Sequence, residues 1–369
     1  MRPLAAVVMA VGLGAATIVA TPAPAPARPV TPVTTAAPLP PPKGYVLVDA
    51  DTGRIIDAGN DRTPMPPASL TKVITALAAS NLAPDDPISV SDRAAAAPAD
   101  KLLLKSGSVW TADEMNRALL LSSANDAAVA LAEHMGGTLE GFQPVFARTA
   151  TGLGMADNPV LVDPAGLDGP DGVEGGNLVS ARDLAIAGRA LLAVPTLAAI
   201  VATPVYYFDG PDGIHHRLTN HNKLFLTTYA GAIGVKTGYT KRAGGCLMAA
   251  ARVGGRTMLA IILNGANPTA QAKALLDKGF ATPVESESIV DQLPAVNLGA
   301  LRPPVAAPDT TVATAVPRTP ASALASSGSE ASSADASRWL VVGGAAGALL
   351  LGLGLIRGRR RRTRIFGRR

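Results

Sequence analysis

One cysteine and four histidines are all the thiol and imidazole that this 369-residue chain contains. Cys246 has no second cysteine to pair with, so an intrachain disulfide is excluded. The lack of paired Cys/His spacing argues against a structural zinc site. Charged residues are also scarce, at 17% against 48% hydrophobic. That balance excludes a chain disordered throughout and leaves ample apolar side chain for a core. No internal repeat is present. The net charge of +5 is misleading, because eight arginines lie between Arg357 and Arg369. From Arg28 to Arg338 there are 24 Lys+Arg against 28 Asp+Glu, a balance of about −4. The positive charge belongs to a tail rather than a groove, and no nucleic-acid partner is expected.

Both ends carry targeting signals. Residues 1–27 read as a secretory signal: Arg2, an apolar stretch from Leu4 to Ala20, then small residues up to Ala27. An uncleaved N-terminal anchor is the alternative. Residues 28–42 form a Pro-rich spacer, 43–298 a globular domain, and 299–338 a disordered Pro/Ala/Ser/Thr-rich stalk. Residues 339–356 hold 18 residues without a charge. At ~1.5 Å per residue that run spans ~27 Å, enough for a bilayer core. Trp339 marks one edge, and the Arg-rich stretch 357–369 marks the other as a cytoplasmic tail. No Leu-Pro-x-Thr-Gly precedes the run, so a permanent transmembrane helix is expected over a sortase-type signal. The globular domain is then extracytoplasmic, on a single-pass protein of the cell membrane.

Within the domain, residues 44–49 and 53–57 suggest a β-hairpin. Ser69 opens a helix whose Leu70, Val73, Ile74 and Leu77 share one face. Residues 112–134 hold one or two helices, and the Gly-, Asp- and Pro-rich stretch 151–180 reads as loop. A helix over 180–192 has Ser180 as its N-cap. Strands are expected over 233–237, 245–253 and 257–263, with Gly254-Gly255 turning between the last two. A helix over 270–280 closes the domain. Strands at both chain ends with helices between them indicate an α+β fold around an antiparallel sheet.

Three short motifs carry possible chemistry. In Ser69-Leu-Thr-Lys72 the serine and lysine share a helix face. A neutral lysine there could take the serine proton, making it a nucleophile. The alternative is an N-cap serine with a solvent-facing lysine. Ser123-Ala-Asn125 places a hydroxyl and an amide in an apolar segment, able to relay a proton and grip a substrate amide, or simply to cap a kink. Lys236-Thr-Gly238 offers a cation and a hydroxyl at a strand edge, suited to a carboxylate, or merely protecting an edge. Each motif occurs once, in this order, and together they match a known catalytic set.

With these motifs the chain resembles the low-molecular-mass penicillin-binding proteins that are serine-type D-alanyl-D-alanine carboxypeptidases. The resemblance spans residues 44–280. It rests on Pro67-Ala-Ser-Leu-Thr-Lys72, Ser123-Ala-Asn-Asp-Ala-Ala128, Asp163-Pro-Ala-Gly-Leu-Asp168, Ser180-Ala-Arg-Asp183, Gly234-Val-Lys-Thr-Gly-Tyr-Thr240 and Ala243-Gly-Gly-Cys-Leu247. It implies the β-lactamase/transpeptidase-like fold, an antiparallel sheet flanked by helices plus a helical lobe. It also implies Ser69 as acylated nucleophile, Lys72 as general base and Ser123 as proton shuttle. Asn125 would bind the substrate amide, and Lys236 and Thr237 its terminal carboxylate, beside Gly238. The backbone N–H groups of Ser69 and Tyr239 would form the oxyanion hole. The implied substrate is a peptidoglycan stem peptide ending in D-Ala-D-Ala, with β-lactams as covalent inhibitors and no metal or cofactor. The segment after Phe280 is too short for the second, strand-rich domain of many members. His221 stands where some relatives carry a carboxylate-binding arginine, and is expected to be a packed or loop histidine. Glu174 lies roughly where a β-lactamase deacylating glutamate would be, but its context does not match. A β-lactamase, a transpeptidase and a silent wall-binding protein are the competing readings.

Overall fold

A computed structural model describes residues 39–98, 100–169, 175–286 and 291–302. The signal, Glu174, the apolar run 339–356 and the Arg-rich tail lie outside the described residues. In chain order the elements are β1 (Gly44–Asp49), β2 (Ile55–Gly59), α1 (Thr71–Ala78), β3 (Pro87–Ser89), α2 (Asp92–Ala95), β4 (Val109–Thr111), α3 (Ala112–Leu121), α4 (Asn125–Gly136), α5 (Leu139–Leu153), α6 (Ala181–Ala193) and α7 (Pro195–Val201). They continue with β5 (Val205–Asp209), β6 (His215–Thr219), α8 (Lys223–Thr228), β7 (Ala232–Thr240), β8 (Gly244–Val253), β9 (Arg256–Gly265) and α9 (Pro268–Ala281).

Five strands form one antiparallel sheet in the order β2-β1-β9-β8-β7. The N-terminal hairpin therefore pairs with the last strand, Val46 lying opposite Ile261. This α+β arrangement is the expected one. Its strands read as continuous apolar runs because both faces are covered. Along β9, Leu259, Ile261 and Leu263 join the core shared with α1, α3, α4 and α6. The alternate residues Met258, Ala260 and Ile262 pack with Ala272 and Leu276 of α9 on the other face.

Local signals explain most boundaries. Gly254 and Gly255 have φ of 59° and 83°, which the two-residue turn between β8 and β9 needs. Ser180 caps α6 by accepting a bond from Asp183 N at 2.9 Å. Thr111 and Glu114 form a capping box on α3. Residues 112–134 resolve into two helices, α3 and α4, with Ser123 in the turn between them at φ 60°.

Three expectations need correction. Ser69, expected to open the helix, sits inside a one-turn 3-10 helix, Ala68–Leu70, that precedes α1, and it makes no capping bond, so the alternative of an N-cap serine fails. The loop expected from 151 starts only after α5, a helix whose Pro144 and two glycines weaken its sequence signal. The stretch assigned to the stalk from 299 is still packed at its start. Leu298–Leu301 forms a short 3-10 helix, and Leu298 and Leu301 rest against the core. Residues 291–302 strap the domain: Leu293 N donates to Gly53 O at 2.8 Å, and Arg189 donates to Pro294 O at 2.7 Å. No single helix among the described residues is long and apolar enough to cross a membrane.

Candidate active site

The 3-10 turn that carries Ser69 begins with Ala68 at φ 49°, a conformation that alanine rarely adopts. Strain of this kind costs roughly 1–3 kcal/mol and gathers at functional sites. It leaves Ser69 part-exposed at the head of α1, while Lys72, one turn on, is 0% exposed.

Lys72 Nζ lies 3.0 Å from Ser69 Oγ, 2.7 Å from Asn125 Oδ1 and 2.8 Å from Ala165 O. Asn125 Oδ1 and Ala165 O can only accept. In a neutral amine they take its two N–H groups, and its lone pair then faces Ser69 Oγ. The electrostatics favour that form. Burial, first, and the charge of Lys236, second, hold the Lys72 pKa well below the usual lysine range, opposed by Asp163, Asp100 and Asp126. Burial likewise pushes Lys236 down to about 7, opposed by Asp100.

α4 starts at Asn125, whose amide nitrogen donates to Pro98 O at 3.1 Å. Asn125 thus positions Lys72, a task its sequence motif did not suggest. Ser123 is 4% exposed, two residues before it in the strained turn. It makes no direct hydrogen bond to either lysine among the described residues.

On the opposite side β7 presents the third motif. Lys236 is 1% exposed and donates to Thr237 O at 3.1 Å, while Thr237 and Gly238 are part-exposed. Glycine at 238 is a matter of space: a Cβ there would lie 3.0 Å from Ser69 N and 3.1 Å from Ala68 Cβ. The strand and the turn that carries Ser69 are therefore in backbone contact. The Tyr239 side chain is exposed.

The structure brings Ser69, Lys72, Asn125 and the Lys236–Tyr239 strand to one seam between helices and sheet. His221, read as a loop histidine, is in a turn and bonded through its backbone N–H to Leu121 O. Its Nδ1 is 3.9 Å from Asp100 Oδ2, and burial and Lys236 lower its pKa. Sequence reasoning missed Asp100 and Asn177, and gave Asp163 no role beyond its place in a family block. Asn177 donates to Thr71 Oγ1 at 3.0 Å and accepts from Val162 N and Asp163 N, pinning the loop that supplies Ala165 O. Only its place in a polar loop could have flagged it.

The family model for D-alanyl-D-alanine carboxypeptidase, peptidase S11, matches residues 32–267. The D-alanyl-D-alanine carboxypeptidase DacF of Bacillus subtilis is 32% identical over 248 residues, which are 65% of this chain and 62% of that relative. DacB2 of Mycobacterium tuberculosis is 36% identical over 248 residues, 65% of this chain and 83% of that relative. The chain thus spans less than two thirds of the first relative and most of the second. The crystal structure of a D-alanyl-D-alanine carboxypeptidase from Mycobacterium tuberculosis superposes with a TM-score of 0.63 at 31% identity, covering 69% of this chain and 97% of that one. A variant of a Streptomyces DD-transpeptidase gives 0.59 at 27% identity, covering 67% and 100%. The matched region contains the whole seam just described, and the chain belongs to the peptidase S11 family of serine-type D-alanyl-D-alanine carboxypeptidases.

Proposed function

We propose that this chain is a membrane-anchored serine carboxypeptidase that removes the terminal D-alanine from peptidoglycan stem peptides. One observation carries the reading: a fully buried Lys72 whose N–H groups have two carbonyl acceptors and whose third direction is Ser69 Oγ at 3.0 Å. Neutral Lys72 takes the Ser69 proton as Oγ attacks the carbonyl of the penultimate D-alanine. The N–H groups of Ser69 and Tyr239 hold the developing oxyanion. Ser123 passes the proton to the leaving nitrogen, the C–N bond breaks, and D-alanine departs. Lys236 and Thr237 hold its carboxylate, and Asn125 fixes Lys72 and the peptide amide. Water then attacks the acyl-enzyme with Lys72 again as base. A β-lactam would stop at the acyl stage on Ser69.

The reading extends to location: signal 1–27, catalytic domain 43–302 outside, stalk 303–338, span 339–356 and tail 357–369 inside. The test is D-alanine release from a D-Ala-D-Ala-terminated stem peptide by the full chain in detergent, beside Ser69→Ala. Release by the first and none by the second is expected, with a penicillin adduct mapping to Ser69. No release by a folded full chain, without or with an amine acceptor, would overturn it, and turnover only with the amine would make it a transpeptidase.

A further inference from the structure

Among the described residues the five-stranded sheet ends at β7, so one edge of that strand faces the seam with no strand beside it. β8 pairs with it up to its last residues, Tyr239 opposite Gly245 and Thr240 opposite Gly244, before the chain enters the turn 241–243. That pairing holds the end within the sheet, while its distance from Ser69 depends on contacts made across the seam. The loop 163–168 lies across the gap. On its helical side it is tied to α1 by Lys72 to Ala165 O, by Thr75 Oγ1 to Pro164 O at 2.7 Å, and by Asn177. Gly166, at φ 79°, lies so close that a Cβ would meet Ala68 O at 2.0 Å. Asp163 stiffens the loop by accepting from Ala165 N and Leu167 N at 2.8 and 3.0 Å. On its sheet side one residue makes the connection. Asp168 Oδ1 accepts from Thr240 Oγ1 at 2.8 Å, and Asp168 Oδ2 accepts from Arg242 N at 3.3 Å. Thr240 Oγ1 in turn accepts from Ala243 N at 3.0 Å, closing the turn.

We propose that Asp168 is a positioning residue of this enzyme: through Thr240 it fixes the Tyr239 N–H relative to the Ser69 N–H, and so sets the width of the oxyanion hole. The inference rests on the carboxypeptidase reading above. A carboxylate suits the task because it takes a hydroxyl and a backbone N–H at once, on two oxygens. The effect belongs to the transition state, since the donors are aimed at an oxyanion that substrate does not yet carry. Loss of one such donor costs roughly 100- to 1,000-fold in kcat. A donor displaced rather than removed should lose about 10-fold, with ground-state binding of the peptide unaffected.

The experiment uses full-length Asp168→Ala, Thr240→Val and Thr240→Ser, with kcat and KM for D-alanine release, the affinity of a peptide boronic acid that forms a tetrahedral adduct on serine, and thermal unfolding. Asp168→Ala and Thr240→Val should each lower kcat and boronate affinity about 10-fold, leave KM within about 2-fold, and keep a cooperative transition. Thr240→Ser, which retains the hydroxyl, should behave as wild type. Unchanged kcat and boronate affinity in folded Thr240→Val or Asp168→Ala protein would overturn the proposal, as would a rise in KM at constant kcat. Inactive wild type would instead overturn the carboxypeptidase reading.

Discussion

At the scale of single residues the site is a problem of two lysines. Both are buried, and burial favours the neutral form of each. The proposed mechanism needs Lys72 neutral and Lys236 charged, so activity should rise with pH through the Lys72 pKa and fall through the Lys236 pKa. In kcat/KM, which reports free enzyme, the falling limb should lie near pH 7, where Lys236 is placed. In kcat it should move to higher pH, because the bound carboxylate favours the charged form. Lys236→Ala should remove that limb and shift the acid limb upward, since Lys72 loses a like charge. It should also lower kcat/KM by ~30- to 150-fold, the equivalent of about 2–3 kcal/mol for a charged hydrogen bond. Initial rates of D-alanine release across the pH range check this, and an unshifted acid limb would argue against coupling of the two amines. The motif residues Ser69, Lys72 and Lys236 were legible in the sequence because their spacing carries the chemistry. Asp100 and Asn177 were not, because their relevance lies in which loops pack together.

At the scale of elements, short-range rules did well wherever a side chain bonds its own neighbourhood. Ser180 was readable as a cap because the bond it accepts comes from three residues on. Ser180 also donates to Asp157 at 2.7 Å and is fully buried. Ser180→Ala should therefore cost more than an exposed cap, about 2 kcal/mol, with little effect on kcat. Urea unfolding beside activity checks it, and a loss below about 0.5 kcal/mol would mean the fold relaxes around the site. Ser69 shows the opposite case: a serine opening an apolar-periodic run reads as a cap. Contact with Gly238 and the loop at Gly166 holds it in a 3-10 turn, with its hydroxyl turned to Lys72. Helix α5 escaped notice because Pro144 and its glycines disfavour a helix locally. Burial of Phe142, Phe146 and Leu153 outweighs that preference.

At the scale of the molecule, the strap 291–302 packs Leu298 and Leu301 against the core and is the last described segment before the proposed stalk and span. Deleting 338–369 should move the protein from the membrane pellet to the soluble fraction, with kcat/KM on a soluble peptide unchanged. Fractionation with a carbonate wash checks it, and a truncated protein that still pellets after signal cleavage would refute the anchor.

The order of the three motifs, the α+β class and the apolar strands were determined by the sequence alone, because residue spacing and hydrophobic periodicity act over a few residues. The state of Lys72, the fit of Gly238 against Ser69, and the bond from Thr240 to Asp168 were decided only by the tertiary structure. They depend on residues brought together from distant parts of the chain, where burial changes a pKa and a missing Cβ permits a contact. No local pattern records either effect.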